Sequence, residues 1–136
     1  MSVDKMISKE GKNYNGKAEV SPLGMAYMHE RLEIVQYLIK TCTAVDLVGR
    51  TSRWGFNSLH YAAMDSKKDV QILQFLIDNY NGDIKDIINQ KHNDGGTPLD
   101  FAYGYNNSSI KKAIVSLLRK YGGKATKYDK NGNWKP

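Results

Sequence analysis

The chain has 136 residues, 40% hydrophobic and 25% charged, with 20 Lys and Arg against 14 Asp and Glu for a formal net charge of +6. That is room for one soluble domain of ordinary composition. A lone cysteine, Cys42, excludes a disulfide framework and a cysteine zinc cluster; no apolar run nears the roughly 18 residues of a membrane span, and the Met1-Ser2-Val3-Asp4-Lys5-Met6 start has no apolar stretch of a secretory signal behind it.

Residues 1–16, with Gly11, Asn13, Asn15 and Gly16, fit no periodic pattern. A mobile arm or a short N-terminal cap is expected there. From Ser21 onward the chain is organised in units. Each opens on a turn-capable residue and a short apolar piece: Ser21-Pro22-Leu23-Gly24-Met25-Ala26, Asn57-Ser58-Leu59-His60-Tyr61-Ala62, and Thr97-Pro98-Leu99-Asp100-Phe101-Ala102. Ser, Asn and Thr cap helix starts and Pro suits the first turn, so each piece reads as a short helix. A longer apolar segment follows each one: Leu32–Ile39, Val70–Ile77 and Ala113–Leu118. Ile34, Val35 and Leu38, then Ile72, Leu73 and Leu76, then Ile114, Val115 and Leu118 recur at helical spacings. Gly- and Asn-containing stretches at 49–55, 89–96 and 128–132 separate the units and read as turns.

Leu23, Leu59 and Leu99 hold the same place in successive units, 36 and 40 residues apart. Neither helix of such a pair can bury its apolar side alone; stacked pairs share one continuous core. Thr97-Pro98-Leu99-Asp100-Phe101-Ala102, Ser58-Leu59-His60-Tyr61-Ala62-Ala63 and Leu32-Glu33-Ile34-Val35-Gln36-Tyr37-Leu38-Ile39 resemble the helix openings and second helix of ankyrin repeats, whose period is about 33 residues. The excess length falls in connections, where it costs little. The turn inside each pair grows by two residues per unit, a five-residue insertion lies in 79–86, and the first hairpin is three residues longer than the others.

The resemblance implies an all-α fold: an ankyrin-repeat solenoid of about three helix-turn-helix pairs joined by β-hairpin-like loops. The expected organisation is an arm at 1–16 and one domain at 17–136, with repeats at 17–51, 52–91 and 92–128 and a partial hairpin at 129–136. Gly24 and Asp100 stand where the family has His, which only His60 keeps; the resemblance gives His60 a structural hydrogen bond to a neighbouring loop. Tyr27 and Tyr103 replace a small Ala, so those positions are looser or their rings point outward. Tyr61 and Phe101 share one place in the repeat and belong to the core. Fraying is expected at 1–16 and 126–136.

No catalytic grouping has a specific spacing. His29, His60 and His92 sit in different units, Cys42 reads as an inert thiol, and Asn93-Asp94-Gly95-Gly96-Thr97 lacks the Gly-Lys-Ser/Thr ending of a phosphate loop. No enzyme activity, cofactor or metal is expected. The resemblance instead implies a protein-binding module that grips a protein partner of unknown identity through its concave side, as an effector or an inhibitor of another protein. Position by position it places Met28, Arg53, Trp54, Phe56, Met64, Asp65, Asp94, Tyr105 and Asn131 there. Trp54 and Phe56 flank Gly55 at a hairpin tip, either as an exposed hot-spot pair or folded back onto the longer first hairpin arm, shielding the stack.

The alternative partner is nucleic acid or an acidic surface. Residues 111–136 hold 8 Lys and Arg against one acid, Asp129, while residues 1–110 are nearly balanced. These cations are spread over a helix and a tail, without the aromatic or groove-reading elements of a nucleic-acid binder, and nucleic acid is not expected. A monomer in the cytoplasm is expected. Richness in Lys, Asn and Ile resembles small ankyrin proteins of bacteria, some viruses or protists, including host-associated ones, which admits delivery into a host cell.

Overall fold

Helices form where apolar spacing and capping residues coincide. The computed structural model describes residues 29–41, 55–80 and 82–136. Within them the elements are α1 (Leu32–Thr41), α2 (Ser58–Asp65), α3 (Gln71–Asn79), α4 (Lys85–Ile88), α5 (Pro98–Tyr105) and α6 (Lys111–Lys120). No sheet forms among the described residues; an isolated antiparallel bridge joins Tyr128 to Trp134. The first short helix expected, at 21–26, lies outside the described residues, as does the 1–16 arm.

The two short inner helices start on reciprocal caps. The Asn57 carboxamide oxygen accepts the His60 N–H at 3.0 Å, and His60 Nδ1 accepts the Asn57 N–H at 3.0 Å. At α5 the Thr97 hydroxyl accepts the Asp100 N–H at 3.3 Å, and the Asp100 carboxylate accepts the Thr97 N–H at 2.8 Å. Such a cap is worth about 1 kcal/mol and satisfies amides that the helix itself cannot. The longer helices bury one stripe each: Ile72, Leu73, Leu76 and Ile77 on α3, and Ile114, Leu117 and Leu118 on α6. On α1 Val35 is fully buried, while Ile34 is 45% exposed.

α2 packs on α5, α3 on α2, α6 on α5, and α1 on α3, so like helices stack on like. Leu59 and Leu99, Tyr61 and Phe101, and Ala62 and Ala102 occupy matching buried places 40 residues apart. Leu76 and Leu118 join the same continuous core. Burying a side chain of this size contributes about 1.5–3 kcal/mol, which is why adjacent pairs hold together without a closed globular core.

The insertion at 79–86 is followed by something the periodicity did not announce. The chain makes a single helical turn, α4, opened by the Asp83 carboxylate accepting the Lys85 N–H at 3.0 Å, and it buries Ile87 and Ile88. Two turns with one design follow. In the first, His92 N–H donates to the Gly96 carbonyl and Gly95 N–H to the His92 carbonyl, both at 2.9 Å; in the second, Asp129 N–H donates to the Asn133 carbonyl at 2.8 Å and Gly132 N–H to the Asp129 carbonyl at 2.9 Å. Gly95 at φ +90° and Gly132 at φ +81° take the left-handed backbone that this turn demands.

Candidate protein-binding face

The inner helices α2 and α5 and the turns that precede them carry most of the residues expected to bind. A column of rings runs through them. Phe101 is buried and meets Phe56 edge-on with centroids 5.1 Å apart, His60 at 5.3 Å and His92 at 4.8 Å. Its outer side stacks on Tyr105, centroids 5.2 Å apart and planes 24° apart. Tyr105 ends the column in solvent, 62% exposed. A large ring held in one orientation by a buried ring loses little freedom on binding, the property of an interface anchor.

Phe56 belongs to the buried side of this column. Its ring is half-buried, stacks on His92 at 5.2 Å and meets Tyr61 edge-on at 5.3 Å. Its ring turns into the stack; the first hairpin arm, onto which the alternative reading folds it, lies outside the described residues. Its companion Trp54, together with Met28 and Arg53, lies outside the described residues. Asp94 stands at the tip of the 92–96 turn, its side chain 90% exposed and one carboxylate oxygen 3.9 Å from His92 Nε2. Asn131 is exposed at the tip of the matching turn, where its N–H donates to the Asp129 carboxylate at 2.8 Å. Met64 is half-buried against the core. Asp65, the last residue of α2, has a buried oxygen, Oδ2, without a hydrogen-bond partner. Burial raises its pKa above the usual carboxylate range and Glu30 adds to this, while Lys67 and His29 oppose it.

The column thus joins Phe56 to Tyr105, with Asp94 beside it on the His92 turn. Met64 and Asp65 lie at the far end of α2, and Asn131 one turn further along the stack. Two contributors were not expected. His92, read only as a turn residue, is a ring of the column, and Phe101, read only as core, is the platform for Tyr105. The register holds a signal for His92: it precedes its turn glycine by three residues, as Asp129 does. Trp134 is 64% exposed on the trailing hairpin.

That hairpin is anchored where fraying was expected. Asp100 accepts the N–H groups of Thr126 at 2.9 Å and Lys127 at 2.8 Å, and Lys135 N–H donates to the Lys127 carbonyl at 2.8 Å. Tyr103 packs on Tyr128, rings 5.7 Å apart, under the Arg119 guanidinium. Gly104 lets this happen: a Cβ there would sit 2.5 Å from the Tyr128 hydroxyl. Part of the C-terminal basicity is consumed in this packing. Lys111 Nζ donates to the Tyr103 carbonyl and Arg119 Nη2 to the Lys130 carbonyl, both at 2.6 Å. Among the described residues no three His, Cys, Asp or Glu side chains are placed to hold a metal ion, and no helix is long and apolar enough to cross a membrane.

A family model of ankyrin repeats, in three copies, matches residues 2–87 and 26–129. The chain belongs to the ankyrin-repeat family. Among solved structures, the crystal structure of the human ASB11 ankyrin repeat domain is similar, with a TM-score of 0.55 and 24% identity, over 85% of this chain and 45% of that one. The likeness is one of fold, and this chain spans less than half the length of that one. No curated protein matches the sequence significantly. Ankyrin-repeat domains are in general protein–protein interaction modules and typically non-catalytic, which agrees with the expectation from the repeat motifs. His60 also makes the bond that its motif implies, with Nε2 2.9 Å from the Gly96 carbonyl of the neighbouring turn.

Proposed function

We propose that this ankyrin-repeat protein binds a protein partner through the face made by the inner helices and turn tips, with Tyr105 as its central anchor and Asp94 and Asn131 on the polar rim. Met28, Arg53 and Trp54 extend the same face by their place in the repeat. The observation that carries this reading is the Tyr105 ring, exposed yet stacked on the buried Phe101. Acting by occupancy, such a module serves as an effector or an inhibitor of its target.

Phe56 is a poor probe of the site, because its removal disturbs the aromatic column as well as any contact. Site-specific photo-crosslinking is cleaner. A crosslinker at position 105 is expected to capture a defined partner in the source cells or their host, and the same group at exposed Ser116 on α6 is expected to capture none of it. Equal capture from both positions, or capture from 116 alone, places the binding face elsewhere.

A further inference from the structure

The trailing hairpin is held still at one arm and left open at the other. Asp100 accepts the N–H groups of Thr126 and Lys127, Arg119 Nη2 donates to the Lys130 carbonyl, and the Tyr128 ring packs on Tyr103. The other arm, residues 133–135, is exposed throughout. Asp129 N–H donates to the Asn133 carbonyl and Lys135 N–H to the Lys127 carbonyl, both at 2.8 Å, on either side of the Tyr128–Trp134 bridge. Tyr128 and Trp134 are therefore a non-hydrogen-bonded antiparallel pair, whose own N–H and C=O groups point away from each other. Those of Trp134 have no hydrogen-bond partner among the described residues. A main-chain donor and acceptor side by side on a fixed arm are what an extended peptide needs to add as a strand.

The side chains around this edge define the strand that fits it. Successive residues of an extended arm alternate between its faces. Trp134 shares one face with Tyr128; Lys135 and Lys127, opposite each other, share the reverse face. Lys127, Lys130 and Lys135 are exposed and make no ion pair among the described residues. Like charges set opposite each other in an antiparallel pair repel. Asp129, the one acid of residues 111–136, accepts N–H groups from Asn133 and Asn131 at 2.9 and 2.8 Å. These bonds hold its carboxyl below the usual carboxylate range, with a smaller pull from Lys135. One carboxylate among three ammonium groups leaves the hairpin with a positive surplus.

We infer that the 133–135 arm binds an extended acidic segment of a protein partner by strand addition. The partner residue opposite Trp134 exchanges both main-chain hydrogen bonds with it and lays an apolar side chain beside the exposed ring. The residues before and after it fall on the reverse face, where acids meet Lys135 and Lys127. The fitting segment therefore alternates acid, apolar, acid. Lysines on an open edge ordinarily keep other strands away. Here they repel a second copy of the same edge and admit a strand that carries acids. A nucleic-acid backbone offers the lysines phosphates, but no N–H and carbonyl at strand spacing for Trp134. Because the hairpin is already anchored, little ordering is lost on binding. The edge needs neither Tyr105 nor the Phe101 platform, so it stands or falls apart from the face of the proposed function.

NMR titration of the isotope-labelled full chain with a short peptide that alternates Glu and Val tests this. The Trp134 amide is expected to shift with the amides of 127–135 and to saturate. Methylating the valine amides of the peptide removes the donor to the Trp134 carbonyl and is expected to weaken binding about fivefold or more. Lys135→Glu is expected to weaken it by a similar factor. Lys85→Glu, the same change of charge on exposed α4, is expected to leave it within about twofold. The spectra themselves report whether each variant is folded, and the methylated peptide needs no variant. No saturable shift at Trp134, equal binding by the methylated peptide, or equal losses in Lys85→Glu and Lys135→Glu would overturn strand addition. Tighter binding of a single-stranded uridine oligonucleotide than of the peptide would also overturn it, and would assign the lysines to phosphate.

Discussion

At the α2 end of the stack His60 faces the Gly96 carbonyl with a donor; at the α5 end, 40 residues on, Asp100 faces the N–H groups of Thr126 and Lys127 with an acceptor. Both residues sit at the third position of an inner helix and both cap its start. Each ties that helix to the turn segment of the next unit. The turns are reversed in the same way, with a histidine acceptor at 92 and a carboxylate acceptor at 129. One mechanical connection is thus made twice, once with imidazoles among aromatic rings and once with carboxylates among amides. A repeat fold tolerates such exchange because each junction involves only its two neighbours.

The largest expected effect breaks the imidazole junction at its hub. Phe101 touches Phe56, both histidines and Tyr105, so Phe101→Ala removes a buried ring and the packing of all four. The expected cost is about 3–5 kcal/mol in urea unfolding. Tyr105→Ala, which removes only the exposed end of the column, is expected to change stability little, a comparison that separates platform from anchor. Equal losses in the two variants would mean that Tyr105 is structural.

Asp100→Ala breaks the other junction and costs less. It leaves the N–H groups of Thr97, Thr126 and Lys127 without their acceptor, for an expected loss of about 2–3 kcal/mol. Hydrogen exchange is expected to rise first in residues 124–136. The pH response has a definite sign. Burial alone would raise the Asp100 pKa, but hydrogen bonds from Thr97, Lys127 and Thr126 hold it below the usual range. Its contribution is therefore complete above the ordinary carboxylate pKa of about 3.9 and is lost as pH falls through the lowered value. On acidification, protection of residues 124–136 is expected to fall as Asp100 protonates. Protection of 124–136 that stays unchanged throughout the carboxylate range would contradict this.

The helix pairs were legible in the sequence because two independent signals agree in them: cap residues at Asn57 and Thr97, and apolar spacing after each. The burial of Tyr61 and Phe101 followed from the register, and the neighbour-loop bond of His60 from the ankyrin resemblance. What was not legible depends on which neighbour a side chain meets. Phe56 read equally as half of an exposed pair and as folded back, because it flanks Gly55 beside Trp54 at a hairpin tip. It turns inward because His92 and Phe101, distant in sequence, leave a slot of aromatic width. At the equivalent place in the next unit stands Gly96, where a Cβ would press on His92 and Phe101 at 3.0–3.2 Å, so the register held no hint of a ring. Tyr103 looked like a misfit for the same reason. Its Ala63 counterpart lies under α5, whereas Tyr103 meets the trailing hairpin and has room for a ring. α4 is a single turn, too short for any period to show.

The smallest effect is expected at the far end of α2, away from both junctions. Asp65 ends α2, where the helix dipole disfavours a negative charge, and its Oδ2 is buried without a partner. Asp65→Asn is therefore expected to stabilise the protein at neutral pH by about 0.3–1 kcal/mol. The raised pKa means that the wild-type carboxylate recovers this deficit as it protonates, so the gain shrinks on acidification. Urea-unfolding stabilities of wild type and Asp65→Asn are expected to converge as pH falls into the carboxylate range. A variant less stable than wild type at neutral pH would show that Asp65 supports the fold as an anion.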